Sequence, residues 1–223
     1  MLEPDTPVAF RAQALLATMA AIIRRSAVPC AVFIVAMAGL GSLLDISGQA
    51  DGSGGTFGLN AAGLVAGFFL SLAMLGRSGL MSEDGQPRFG AYFGLSILSG
   101  LGILMGFILL LVPGLLLLIR WLPAFGFLLG SRQGVRQSLS SSWRRTRGHF
   151  WALLAGAAVP FLIAATGGTL YLVVEANVAV PSEVLFVLAN LAIYAFTVVW
   201  SAYGFAAYAL LRDDAGELSE VFG

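Results

Sequence analysis

Apolar runs and short polar stretches alternate along the whole chain. About 20 apolar residues cross a hydrocarbon layer of roughly 30 Å. Six stretches reach or approach that length: Ser26 to Leu44, Phe57 to Gly76, Ala91 to Val112, Leu115 to Leu129, Phe150 to Val174, and Ser182 to Leu211. The pattern predicts an all-α polytopic membrane protein with six transmembrane helices. Trp200, Tyr203 and Tyr208 suit an aromatic belt at one end of the last, long span. Arg24 and Arg25 ahead of the first run, with Ser47-Gly48-Gln49-Ala50 after it, faintly resemble a signal peptide. The run is long for such a segment and sits far from the N-terminus, so it is read as a span.

Pro113-Gly114 admits two readings, a kink inside one helix or a turn between two. Arginine placement separates them. With a turn, Arg11, Arg24, Arg25, Arg77, Arg88, Arg132, Arg136, Arg144, Arg145, Arg147 and Arg212 all face the cytoplasm, and only Arg120 is left within a span. With a kink, the cluster from Arg132 to Arg147 and Arg212 moves outside, against the positive-inside bias. The turn is therefore expected, with both termini cytoplasmic. The outer loops then carry Asp45, Asp51, Glu175 and Glu183, and Asp45 to Gly58 reads as a flexible Gly-rich linker.

Two polar segments are expected to lie on the membrane, ahead of spans one and five. In the first, residues 1–25, Thr6 is the expected N-cap and Pro7 the first helical residue. Arg11, Thr18 and Arg25 recur every seven residues. This is either an amphipathic interfacial helix or a lead-in to the first span. The second is the amphipathic segment 131–149 within the membrane domain 26–212. Val135, Leu139 and Trp143 are spaced by four there, among Arg132, Arg136, Arg144, Arg145 and Arg147, with Trp151 just beyond. These arginines either enforce topology alone or form a surface for anionic headgroups or a partner. Residues 213–223 read as an acidic, solvated tail.

Composition agrees with a membrane protein. The 223 residues are 58% hydrophobic and 11% charged, with a mean hydropathy of +0.89. All 12 basic residues are arginine, which with the abundant alanine and glycine suggests a GC-rich bacterial genome. Zero net charge and the lack of a basic domain exclude the electrostatic footprint of a nucleic-acid binder. With one cysteine, Cys30, and one histidine, His149, neither an internal disulfide nor a His/Cys metal cluster is expected. No cofactor is expected.

LLLVPGLLLLIRW followed by GVRQSLSSSWRRTRGHFWALL resembles a pairing found in a loosely defined family of bacterial six-helix membrane proteins. There a Pro-Gly, an apolar run and an arginine precede a basic amphipathic helix, a Ser-Trp, a Thr-Arg/Lys-Gly and a Phe-Trp. The family includes the membrane domain attached to some glycerophosphodiester phosphodiesterases and stand-alone inner-membrane proteins. The match covers Leu109 to Leu154; elsewhere the likeness is one of hydropathy. It implies a multi-pass bacterial cytoplasmic-membrane protein. Phosphodiesterase activity is not carried over, because a catalytic barrel needs about 250 residues.

Residues that carry chemistry are few. His149 has no acid near it in sequence, and Ser138, Ser140, Ser141 and Ser142 match no nucleophile motif. The chain is read as non-catalytic, with an intramembrane lipid enzyme the weakest alternative. Small residues four apart are more informative: Gly63 and Gly67 with Ser71, Gly90 and Gly94, Gly102 and Gly106, Gly126 and Gly130, with Pro113 and Gly114 at the turn. They predict close helix packing within the chain, or else a homodimer face or an acyl-chain groove.

Arg120 completes the reading. It lies roughly 9 Å below a turn at Gly114, where a charge costs at least about 2.5 kcal/mol. It either snorkels outward or turns into the bundle toward Glu175, Asp45 or Asn190. Two functions follow. The first is a protein that binds or organises lipid or a membrane partner through its arginine-rich helix, at the cytoplasmic face. The alternative is a permease or channel for an anionic or lipid-like solute that meets Arg120.

Overall fold

A computed structural model describes residues 6–48, 53–82, 88–176 and 181–212. Among them the chain forms ten helices and no strand: α1 Val8–Arg25, α2 Ala27–Ile46, α3 Ser53–Arg77, α4 Phe89–Leu109, α5 Leu111–Arg120, α6 Ala124–Leu129, α7 Val135–Arg145, α8 Phe150–Gly156, α9 Ala158–Glu175 and α10 Ser182–Leu211. Five segments are long and apolar enough to cross a membrane: α2, α3 from Gly54, α4, Leu111–Leu129 and α10. The pair α8 and α9, bent by 42°, passes the same test only when its two helices are taken together, and counts as a sixth if it is one span.

Prolines place most of these boundaries. Pro7, Pro123 and Pro181 stand immediately before α1, α6 and α10. Pro29, Pro113 and Pro160 are each the third residue of α2, α5 and α9. In both positions the missing N–H is one the first helical turn leaves unpaired anyway. At Pro29, Pro113, Pro123 and Pro160 the ring would also clash with the carbonyl four residues back, the end of the preceding helix, which interrupts it. Hence α1 gives way to α2 across Ser26 alone, and α8 to α9 across Ala157 alone.

The same rule corrects the expected turn. The chain reverses at Leu110, whose extended backbone (φ −165°, ψ 151°) separates α4 from α5. Pro113 and Gly114 lie inside the first turn of α5, three residues later than a turn residue would. The hairpin itself is present, and its tip from Phe107 to Val112 is exposed. Other expectations shift in detail. Pro7, not Thr6, occupies the N-cap of α1. The expected linker Asp45 to Gly58 is helical up to Ile46 and again from Ser53. Asp51 and the tail 213–223 lie outside the described residues, as does the side chain of Glu175.

α10 is the central post. Its last third, Ala202 to Tyr208, is buried throughout, enclosed by α1, α6 and α8. Glycines allow this approach: a Cβ on Gly126 would meet the Tyr208 ring, one on Gly156 the Tyr203 hydroxyl, and one on Gly204 the Leu122 carbonyl at 2.8 Å. The Tyr203 hydroxyl donates to the Leu153 carbonyl at 2.7 Å, and the Tyr208 hydroxyl lies 2.8 Å from that of Ser131. The first half of α10 instead packs between α2 and α9, which leave Val28, Val32, Val35, Leu43, Leu162 and Leu172 facing outward. Large apolar side chains exposed along whole helices are compatible with a helical membrane protein.

Candidate functional site

The fourth span is broken, and the break positions Arg120. Trp121 to Pro123 interrupt the helix between α5 and α6. The amide of Ala124 turns back to Trp121 O at 3.0 Å, so the Arg120 carbonyl loses the partner it would have in a continuous helix. Ser142 of α7 supplies one, its hydroxyl donating to Arg120 O at 2.6 Å. The Arg120 side chain reaches the same helix: its guanidinium carbon is 4.5 Å from the centre of a Trp143 ring, and Nη1 donates to Trp143 O at 3.4 Å. The expected partners of Arg120 are thus corrected. It is held by α7 and not by Asp45 or Asn190.

Those two residues do meet, without it. Asp45 near the end of α2 accepts on Oδ2 from the Asn190 amide at 2.6 Å and from the Tyr171 hydroxyl at 2.8 Å. The Asn190 amide nitrogen also lies 3.1 Å from Tyr171 Oη and donates to Phe186 O at 2.9 Å. Asn190 is buried, and its amide oxygen sits against Gly41, where any side chain would collide with it. Three helices that otherwise share apolar faces are therefore pinned by one carboxylate and two neutral donors. Tyr171 was missed in sequence because nothing in its spacing distinguishes it from an interfacial tyrosine. Along α10, Asn190 and Tyr208 are roughly 27 Å apart at 1.5 Å per residue, so this cluster and α7 occupy opposite ends of the bundle.

α7 is amphipathic in an unexpected sense. Its buried face carries Ser138, Ser141 and Ser142, followed by Thr146, all 3% exposed or less. Small hydroxyls pack closely where they bond backbone, as three of these do: Ser138 to Gly134 O, Thr146 to Ser142 O, Ser142 to Arg120 O. The seven residues expected to form one lipid or partner surface divide accordingly. Arg136, Arg144 and Arg147 are exposed with Ser140 between them, and Trp151 is 69% exposed just beyond. Arg132, Trp143 and Arg145 are used internally. Arg132, held at φ 55°, reaches Ser82 O at 3.5 Å. Arg145 donates to Leu211 O at 3.0 Å and lies over the Phe127 ring at 5.6 Å.

A further arginine belongs to this end. Arg11 of α1 is buried, its Nη1 2.9 Å from Gly148 O and 3.0 Å from His149 Nδ1. His149 must be neutral there to present a lone pair to a guanidinium. Burial pushes its pKa below the ordinary 6.5, and the adjacent Arg11 charge acts in the same direction.

The predicted packing glycines also separate. Gly102, Gly106 and Gly114 lie where a Cβ would strike Trp121, the Gly114 backbone and Phe107, so they let α4 and α5 touch. At Gly67 a Cβ would come 3.2 Å from Tyr92 Oη, while at Gly63 and Gly94 it would make only ordinary contacts. A cavity of about 80 Å³ beside the helix break is lined by Ser71, Tyr92, Phe125, Trp200 and Ser201 among others, and Arg120 is not among its lining residues. Comparisons with protein-family models, curated proteins and solved structures return no match to this chain.

Proposed function

We propose that this chain is a six-span protein of a bacterial cytoplasmic membrane, both termini cytoplasmic, whose arginine-bearing end binds anionic phospholipid headgroups without catalysis. The observation that carries this reading is the exposed stripe Arg136, Ser140, Arg144, Arg147 and Trp151, opposite a face of buried serines. Arginines near a surface of anionic lipid contribute about 1 kcal/mol each, and an exposed tryptophan beside them suits the headgroup layer. Topology supports the placement. Arg24 and Arg25 close α1, Arg77 closes α3, Arg88 precedes α4 and Arg212 follows α10. Through Trp143, Arg120 joins the same end.

The test is lipid selectivity. The full chain, purified in mild detergent from a mixture of phosphatidylglycerol and phosphatidylcholine, is expected to retain an excess of phosphatidylglycerol that falls as salt rises. The double variant Arg136→Gln/Arg144→Gln is expected to lose most of that excess. Equal retention of the two lipids by the folded wild-type protein would sink the proposal. The permease reading needs a solute to meet Arg120, whereas its guanidinium lies against Trp143.

A further inference from the structure

Arg11 is a buried cation that uses two of its five N–H donors. It is 7% exposed, and its partners are two neutral acceptors, Gly148 O and His149 Nδ1, both on Nη1. Its Nε is buried with no partner. Buried charges are ordinarily met by an opposite charge, and among the described residues no carboxylate lies against this one. With Nη1 committed to the turn, the edge formed by Nε and Nη2 is left. That is the side-on edge through which a guanidinium takes a phosphate by two parallel N–H bonds.

The surroundings suit such a ligand. Gly148, whose carbonyl Arg11 holds, is exposed and left-handed at φ 81°, with open space around it. The neighbouring Arg147, one residue before Gly148 in the same turn, is exposed. Trp151, one helical turn on, is largely exposed and suits the boundary between headgroups and acyl chains.

We infer that Arg11 and Arg147 form a phosphate site at this turn, which holds one phosphate group of a phospholipid headgroup or of a free phosphate compound. The lipid source rests on the proposed lipid-facing orientation of this end; the phosphate chemistry does not. The site differs from the exposed stripe in needing Arg11, which the stripe does not include, and in being buried enough to resist salt.

The full chain in mild detergent, supplied in turn with phosphatidylglycerol, phosphatidylcholine and monogalactosyl diacylglycerol, which lacks phosphate, is to be read by native mass spectrometry. One phospholipid is expected to survive high salt on the wild type and on Arg136→Gln/Arg144→Gln. The galactolipid is not expected to be retained. Arg11→Met and Arg147→Gln are each expected to lower occupancy by about tenfold, the order of one lost charge-assisted bond. Arg11→Lys keeps a charge but loses the side-on edge; loss of the lipid with unchanged circular dichroism and thermal midpoint rules out misfolding as the cause. Displacement by inorganic phosphate assigns the site to phosphate compounds at large, and resistance to it assigns it to lipid headgroups. Equal retention by wild type, Arg11→Lys and Arg147→Gln, or retention of the galactolipid, overturns the site. Loss of the phosphatidylglycerol preference alone would instead sink the stripe and leave this site standing.

Discussion

Arg120 and Trp143 are stacked, the guanidinium carbon 4.5 Å from the indole ring, although 22 residues and two helix boundaries separate them. The contact lets a charged side chain reside beside a broken apolar span, because an indole face attracts a cation without itself requiring a counter-charge. It also joins α5 to α7 at the point where the Ser142 hydroxyl caps the Arg120 carbonyl. Trp143→Ala is expected to lower stability by about 2 kcal/mol, from the lost cation–π contact and the lost packing of a half-buried indole. Trp143→Phe, which keeps a ring face, should recover part of the loss. Thermal unfolding in detergent compares the two, and equal midpoints for Trp143→Ala and wild type would refute the assignment.

The pH dependence of stability at the arginine end is set by His149. Its folded-state pKa lies below the ordinary 6.5, so the unfolded chain binds the proton more readily. Its contribution is therefore fully present above about pH 6.5 and is lost as pH falls through the depressed folded value. Protonation would also set an imidazolium 3.0 Å from the Arg11 guanidinium. The thermal midpoint should fall on going from pH 7.5 to pH 5, and His149→Gln, which cannot acquire that charge, should flatten the profile. An identical slope in the variant would assign the acid sensitivity elsewhere.

At the opposite end, Asn190→Leu is expected to destabilise the bundle by about 2 kcal/mol. It leaves the Asp45 carboxylate with only the Tyr171 hydroxyl and strips the Phe186 carbonyl of its side-chain donor. Gly41→Val should act on the same cluster by displacing the Asn190 amide. Because both changes break one assembly, the double variant should cost clearly less than the sum of the two singles. Additive losses in thermal unfolding would show that the cluster is not one unit.

How much of this was legible in sequence depends on the range of each interaction. The all-helical class and five to six apolar spans follow from hydropathy, and the α4–α5 hairpin agrees with the turn chosen by counting arginines by side, but the breaks that divide the spans into ten helices among the described residues do not. The turn was misplaced by three residues because Pro-Gly was assigned turn geometry, whereas the first turn of a helix tolerates proline equally well. Arg11 was legible in principle: it shares the spacing of Leu15, Met19 and Ile22, all buried on one face of α1. Grouping it with Thr18 and Arg25 as one polar face, by their spacing of seven, concealed that. Asp45 was found at an outer helix end and Asn190 as a polar residue in an apolar run, but which of the named partners each would meet depends on helix rotation, which periodicity in nearly uniform apolar spans does not encode. The Arg120 contact depends on α7 folding back over its own connection, and the spacing of Val135, Leu139 and Trp143 pointed toward a lipid-facing apolar stripe instead.

The α4–α5 hairpin separates glycines required for packing from glycines that merely share their spacing. Gly102 and Gly106 of α4 face α5, where a Cβ at Gly106 would lie 2.9 Å from the Gly114 Cα, a backbone atom that cannot swing aside. In lipid, such direct backbone approach is what holds a hairpin together, since burial from water contributes nothing between apolar helices. Gly94 belongs to the same series of small residues, yet a Cβ there would meet only Val135 Cγ2 at 3.8 Å, an ordinary contact. Gly106→Ala is therefore expected to cost about 2 kcal/mol or more by forcing the helices apart. Gly94→Ala should be neutral or stabilise slightly, because alanine restricts the unfolded chain and favours helix. Thermal midpoints of the two variants, measured in the same detergent, are expected to differ by several degrees, with Gly94→Ala the higher. The reverse order would mean that α4 and α5 do not meet along Gly106 and Gly114.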